Sequence, residues 1–461
     1  MSLLDLLIDH PCGDDEHLVH DLNRSLTKAA VLVDVEVQAN ALGTSGLTTG
    51  QPVAVVADGV EGLISMFACW RAGLVFVPIN PRSPDAAIDD LVRQTAAAAV
   101  VQDGRICPTD VAAESLGGAL ATPGAAFVLW TSGTTGRPKP VVHTHEAYRE
   151  LIDRVLGPLR SAPRDRKQPP SPNLIPVSMA LNAGIYNALF GLRAGAPLVL
   201  MDRFRTTDFA TLVSRHQIRS TVLPPAAMVM LTDDAAVADL VPLRYVRSIT
   251  APLSPFQARR FTEKFGVTVL NGYGQAEIGE VIGWTAADAR EHPDKIGAAG
   301  RPHPGVSARI DEPDLNGVGE LLVRPPRRAV GYADGTDLAD RVSDDGFVRT
   351  GDLARIDGDG FVWIEGRTGD LINRGGNKVF PDEVEEVLAS VPGVTEVAVA
   401  ARPDDRLGEV PVAFVVGTAD EATLDAACRH HLAPYKVPTE YRRVDALPRN
   451  ESGKVLRREL S

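Results

Sequence analysis

Cysteine is scarce: Cys12, Cys69, Cys107 and Cys428 are the four in 461 residues, far apart and without a CxxC pair. That spacing makes neither a disulfide framework nor a zinc site, so the expectation is four small, buried, apolar thiols in a reducing cytoplasm. Long hydrophobic runs are missing too. The longest, around 63–80 and 188–201, are interrupted by Arg71, Pro78 and Arg193, which excludes a membrane span. Basic charge is in deficit, 47 Lys and Arg against 60 Asp and Glu for a net charge of −13. A general binder of nucleic acid or anionic membrane is excluded on that ground. The opening MSLLDLLIDHPCGDDEH has no basic n-region or small-residue cleavage site, so no signal peptide is expected. No low-complexity tract and no internal repeat is present. Neither is the GxxxxGK[ST] spacing of a Walker loop, which argues against a nucleotide hydrolase of that kind. His430 and His431 have no cysteine or carboxylate partner at metal spacing, and no transition metal is expected. For His143 and His145 the expectation is capping or packing.

What is there is an α/β pattern, with 44 % apolar residues in a chain long enough for two to three domains. Strand-like runs at 52–57, 74–79 and 98–102 alternate with helical patterns at 61–73 and 85–95. The alternation resumes after Ala183, with strands at 197–201, 220–223 and 267–270 and helices from Asp208 and over 255–265. Crossover helices between strands imply parallel pairing with helices on both faces. Residues 158–173 are rich in proline and charge and read as a solvated connection. From about 295, glycine and proline become frequent and strands short (319–323, 361–365), the texture of a small β-rich layer. A further α+β unit starts near 370. Its helix follows Pro381, with Val384, Val387, Leu388 and Val391 at i, i+3, i+4 and i+7.

The strongest local signal is Thr131, Ser132, Gly133, Thr134, Thr135, Gly136, Arg137, Pro138 and Lys139, directly after the apolar run 125–130. Glycine lets backbone N–H groups approach an anion, the hydroxyls donate, and Lys139 adds charge, so the segment suits a phosphate cradle; a polar surface turn is the plain alternative. Four other segments share that ambiguity one by one. Asn271, Gly272, Tyr273, Gly274, Gln275, Ala276 and Glu277 put an aromatic face beside a carboxylate suited to Mg²⁺. Thr350-Gly-Asp352 offers a carboxylate at a turn, suited to a ribose diol. Gly366-Arg-Thr-Gly-Asp370 precedes Arg374-Gly-Gly-Asn377, and Pro448-Arg-Asn-Glu-Ser-Gly-Lys454 lies near the end.

In this order and spacing the motifs make the chain, from about residue 50 to 461, similar to the adenylate-forming superfamily of acyl-CoA synthetases, peptide-synthetase adenylation domains and luciferases. The resemblance implies two α/β sheet subdomains plus a small β-rich layer in a large N-terminal region, 1–369. A small, mobile α+β C-terminal domain, 370–461, would follow. It implies that the 131–139 loop closes over the β- and γ-phosphates of ATP. Thr250, Ala251 and Pro252 on one side and Tyr273 on the other would bracket the adenine. Glu277 would ligate Mg²⁺, and Asp352 would hold the ribose with Arg367 alongside. Lys454 and Glu277 would be the catalytic residues, Lys454 reaching the substrate carboxylate and α-phosphate as pyrophosphate leaves. No acid–base residue is needed, because a carboxylate is already a nucleophile at neutral pH. Residues 429–458, with eight basic and three acidic side chains, would add attraction for polyphosphate.

The implied product is an acyl-adenylate, captured by a thiol, with CoA as co-substrate. The C-terminal domain would rotate at Gly369, and Gly375 and Gly376 would line the thiol tunnel. The acyl pocket is expected from 182–187, 223–228, 250–253 and 276–284, including Leu181, Asn182, Gly184, Ile185, Ala276 and Ile278. Tyr186, Asn187 and Glu280 are its other polar members. An aryl or medium-length acid fits this mix better than an amino acid. Departures from the family pattern are Pro140 after the phosphate loop, Ala276 for a usual threonine, Leu181 for a gating aromatic or histidine, and Gly369 at the hinge. They leave open a carrier protein acting in trans, or an amine, as acceptor, and a non-catalytic ligand-binding relative is the alternative of another class. The N-terminal helix–strand decoration of the family is expected to be trimmed. Oligomeric state is not legible.

Overall fold

The alternating pattern becomes two seven-stranded sheets in the computed structural model, which describes residues 2–110, 118–131, 139–161, 170–251, 253–336, 338–449 and 455–460. In the first sheet Ala125–Thr131, Val75–Ile79, Pro52–Val56 and Ala99–Gln102 run parallel. Lys139–Thr144 returns antiparallel beside Ala125–Thr131, and Gly331–Tyr332 adds to its outer edge. The second sheet has six parallel strands, Thr268–Leu270, Tyr245–Ser248, Ser220–Leu223, Asn173–Ile175, Leu198–Leu200 and His17–His20, closed by Ser25–Thr27 antiparallel. In the first sheet Pro52–Val56 and Val75–Ile79 are apolar and buried along their whole length, as strands covered on both faces are.

The helix Gly59–Arg71 shows the local logic. Asp58 caps it by accepting from Gly59 N at 2.9 Å, and Val60, Leu63, Phe67 and Trp70 are buried on its inner side. Phe67 and Trp70 meet edge to face at 5.3 Å; truncating Phe67 to alanine is a loss of about 3–5 kcal/mol.

Two expectations are corrected here. The N-terminal decoration is not trimmed: helices Asp5–Ile8 and Lys28–Thr44 and strands His17–His20 and Ser25–Thr27 are all present, and His17–His20 is a full member of the second sheet. Of the thiols, Cys69 and Cys428 are buried, but Cys12 is half-buried and Cys107 exposed. Burial pushes the Cys69 thiol up to about 12. Cys107 lies on the edge strand Arg105–Pro108 and is exposed among the described residues.

The glycine-rich middle folds as short antiparallel sheets. Ser307–Asp311, Gly319–Arg324, Val348–Ile356 and Val362–Arg367 form one, and Gly272–Gln275, Gly279–Gly283 and Arg301–Pro302 another. The last part has a five-stranded sheet of its own and an apolar core in which Val384 and Leu388 of the helix Pro381–Ala389 meet Val399, Ala413 and Val415. That helix also packs against Val362–Arg367 and Pro255–Phe265 of the preceding part.

Candidate functional site

The 131–139 segment connects two antiparallel strands, with Thr131 and Lys139 facing each other in register. Ser132, Gly133, Thr134, Thr135 and Gly136 lie outside the described residues, as do Pro252 and Lys454. Lys139 Nζ stands 5.5 Å over the ring of Tyr332, which the edge strand Gly331–Tyr332 brings alongside. The Tyr332 hydroxyl donates to Glu277 Oε1 at 2.7 Å, and Arg341 Nη1 donates to the same oxygen at 2.7 Å. Burial, and then Glu277, push the Tyr332 phenol up to about 12, so it remains a donor.

A second cluster surrounds Asp352, which is 4 % exposed. Its strand neighbour in register is Arg367, whose Nε lies 3.1 Å from Oδ1. Tyr273 OH and Gln275 Nε2 donate to Oδ2 at 2.5 and 2.8 Å. Burial first and then the Asp352 charge push the Tyr273 phenol well above its ordinary value. Gln275 joins the two clusters, because its Oε1 accepts from Arg341 Nη2 at 2.9 Å. The result is a connected chain of polar side chains with a cationic end (Lys139, Arg341) and a carboxylate end suited to a diol. A carboxylate offers about four acceptor positions; three donors already occupy Asp352, so a ribose must displace at least one of them to place both hydroxyls.

The residues present fit a magnesium ion. Glu277 Oε2 takes no hydrogen bond from the described residues, whereas Oε1 is held by Tyr332 and Arg341. One free carboxylate oxygen is what such an ion asks of a protein when phosphates and water supply the rest.

Thr250 has φ +76°, a left-handed conformation that a β-branched residue rarely takes. It directly precedes Ala251 at the end of the parallel sheet. Gly274 is required by close approach: a Cβ there would sit 2.2 Å from the Gly279 carbonyl oxygen. Asn271 does not join that chain of hydrogen bonds; its side chain donates to the Ala298 carbonyl at 3.2 Å and accepts from Gly272 N.

On the acyl side, Leu181 is the residue before helix Asn182–Arg193, and Asn182 Oδ1 accepts from Tyr148 OH at 2.6 Å. Gly184 does not line open space, since a Cβ on it would lie 2.1 Å from the Ser178 carbonyl oxygen. Ile185 and Ile278 are wholly buried in two separate apolar clusters. The Ala276 carbonyl accepts from His143 Nε2 at 2.7 Å, and burial pulls His143 down to about 4. His143 is therefore a neutral packing residue that fixes the backbone just before Glu277. Gly369 has no neighbour within 4 Å of a Cβ position. Gly375 and Gly376, at φ +57° and +87°, form the turn between Ile372–Arg374 and Asn377–Val379. Two consecutive left-handed residues are the signature of a type I′ hairpin turn.

Tyr332 and Arg341 were not legible as site residues. Tyr332 follows a glycine on a two-residue strand, and Arg341 sits in the short 3₁₀ turn Ala339–Arg341; neither lies in a glycine-rich or hydroxyl-rich motif.

The profile of the AMP-binding enzyme family matches residues 9–333, and that of the AMP-binding enzyme C-terminal domain matches residues 383–454. The first match begins well before residue 50. A sulfoacetate–CoA ligase of Cupriavidus necator is 31% identical over 488 residues, covering 95% of this chain and 93% of the relative. A long-chain-fatty-acid–CoA ligase of Mycobacterium tuberculosis is 28% identical, covering 91% and 89%. The crystal structure of ATP-bound MatB from Rhodopseudomonas palustris superposes with a TM-score of 0.86 at 27% identity, covering 100% of this chain and 98% of that one. The chain therefore belongs to the AMP-binding enzyme family, within the adenylate-forming superfamily.

Proposed function

We propose that the protein is an AMP-forming acid–thiol ligase: it activates a small carboxylic acid as its acyl-adenylate with release of pyrophosphate, then transfers the acyl group to CoA. The observation that carries the reading is the line of hydrogen-bonded side chains from Glu277 through Arg341 and Gln275 to Asp352, with Lys139 beside Tyr332 at one end and a carboxylate suited to a diol at the other. The relatives named above are CoA ligases, which favours CoA as the acceptor.

In this reading Asp352 and Arg367 orient the ribose, Thr250, Ala251 and Pro252 flank the base with Tyr273, and Lys139 and Arg341 hold the β- and γ-phosphates. Glu277 Oε2 would hold magnesium, and the ion would supply charge neutralisation for pyrophosphate. The substrate carboxylate attacks the α-phosphorus, and the bond to the bridging oxygen of the β-phosphate breaks. Lys454 is assigned to stabilise the negative charge on the pentacoordinate phosphorus, after which residues 370–461 rotate at Gly369 and the thiol enters past Gly375 and Gly376.

The test is acid-dependent exchange of pyrophosphate into ATP over a panel of carboxylic acids, followed by CoA and mass analysis of the product. The wild type should exchange label and form the thioester. Lys454→Ala should lower exchange about 10²–10³-fold. Exchange that is equal in wild type and variant removes Lys454 from the reaction, and no exchange with any acid removes the ligase reading.

A further inference from the structure

Lys454 lies outside the described residues, but the chain on either side of it is fixed by the small domain. Val455 pairs with Arg449 in an antiparallel bridge, and Leu456 N donates to the Pro448 carbonyl at 2.8 Å, so these two flanks run side by side. Val455 and Leu460 pack against the apolar cluster that holds Phe414 and Leu447. On one flank Arg449 Nη2 lies 3.0 Å from Glu396 Oε2, in the strand Val394–Asp404. On the other stands Arg457, three residues after Lys454.

The Arg457 guanidinium reaches three carboxylates from two separate stretches of chain. Its Nη1 lies 3.2 Å from Asp370 Oδ2, its Nη2 lies 2.9 Å from Glu385 Oε2, and Nη2 also meets Asp382. Nε donates to Glu385 Oε1 at 3.2 Å, and that oxygen also accepts from Val399 N at 2.7 Å. Asp382 and Glu385 lie in the helix Pro381–Ala389, and Asp370 directly follows Gly369. One cation therefore joins the tail, a helix, a strand and the residue next to the expected hinge. A single carboxylate would neutralise it. Three of them around a side chain only 21 % exposed leave negative charge in excess, which like-charge repulsion disfavours. A planar fork bonded in several directions at once has little freedom to swing, unlike the point charge of a lysine. What the arrangement secures is geometry more than charge balance.

We propose that Arg457 is a positioning residue for Lys454: it locks the tail to Asp370 and to the helix Pro381–Ala389, so that the lysine and the residues beside Gly369 turn as one body. The proposal rests on the ligase reading and on the role assigned there to Lys454. The two half-reactions then depend on Arg457 differently. Adenylation needs an ammonium set on the pentacoordinate phosphorus, and misplacing such a group by about 1 Å lowers a rate about 10²-fold. Transfer from a finished acyl-adenylate to a thiol makes no such demand on Lys454, because pyrophosphate has already left. An ion-pair staple that only held the domain together would weaken both halves alike, since the thiol path is assigned to the same domain.

The experiment measures the two halves separately in the full-length protein, with the acid that exchanges fastest. Pyrophosphate exchange reports adenylation, and synthetic acyl-adenylate mixed with CoA reports transfer. Arg457→Met should lower the kcat of exchange by about tenfold to a hundredfold, with KM for ATP unchanged and transfer at the wild-type rate. Arg457→Lys keeps the charge without the fork and should restore the melting temperature but only part of the exchange. In a Lys454→Ala background Arg457→Met should lower exchange no further, because the two act as a unit. Should Arg457→Met fail to fold, Asp370→Asn, which removes one acceptor and keeps the arginine, should show the same split between the halves. Equal loss in both halves, unchanged exchange, or a further loss in the Lys454→Ala background overturns the inference and leaves the ligase reading standing. Absence of exchange by the wild type with every acid overturns both.

Discussion

Arg341 Nη1 lies 2.7 Å from Glu277 Oε1, although the two residues are 64 positions apart. Glu277 is 5 % exposed, and this guanidinium and the Tyr332 hydroxyl both donate to its Oε1. Arg341→Met leaves a buried carboxylate with one neutral donor and should destabilise the fold by about 1–3 kcal/mol, discounted because the Arg341 side chain is itself about a third exposed. Arg341→Lys should recover part of that. In a denaturant double-mutant cycle, Arg341→Met combined with Glu277→Gln should cost less than the two single changes summed; strict additivity means the pair is not coupled.

Arg457 ties the C-terminal end to the domain beneath it. Its guanidinium bonds Glu385 Oε2 at 2.9 Å and Asp370 Oδ2 at 3.2 Å, and it also meets Asp382. Three carboxylates share one cation. Burial, helped by Asp382 and only partly opposed by Arg457, pushes Glu385 up to about 7. A carboxyl whose folded pKa exceeds its unfolded value of 4.5 contributes stability that is complete below that value and is lost as pH rises towards 7. Thermal melts of wild type should therefore decline between about pH 5 and pH 7.5 by the equivalent of about 1–3 kcal/mol. Glu385→Gln should flatten that slope; an identical slope in the variant assigns it to other groups.

The Gly375–Gly376 turn separates a conformational role from a functional one. Gly376 has φ +87° and no atom within 4 Å of a Cβ position. Alanine there should cost about 1 kcal/mol through the backbone alone, and asparagine, which tolerates the left-handed region, less. Gly376→Asn should keep its melting temperature and its pyrophosphate exchange while raising KM for CoA. Unchanged thioester kinetics in that variant would leave the pair a hairpin turn and nothing more.

Much of the fold was readable because local rules and tertiary packing agree. The runs at 220–223 and 255–265 coincide with Ser220–Leu223 and Pro255–Phe265, where a β-branched strand and a proline-started helix also face apolar neighbours. The site was readable in its two carboxylates and one arginine: Glu277, Asp352 and Arg367 all meet partners in it. Its cationic counterpart at Arg341 was not, because an arginine in a polar turn has no local pattern that distinguishes it. The tight fit at Gly184 was equally illegible: a Cβ there would meet the Ser178 carbonyl, which only the folded chain brings close.

The amino-acid order alone determined the α/β class, the phosphate-loop composition and the family, since glycine, hydroxyl and carboxylate spacing within one motif is a property of contiguous chain. Tertiary structure decided which distant groups neutralise one another. Arg341 with Glu277, Arg247 with Glu280 and Arg457 with Glu385 are pairings made across sheets and helices. Electrostatic interaction depends on separation in space and on burial, and neither is written in separation along the chain.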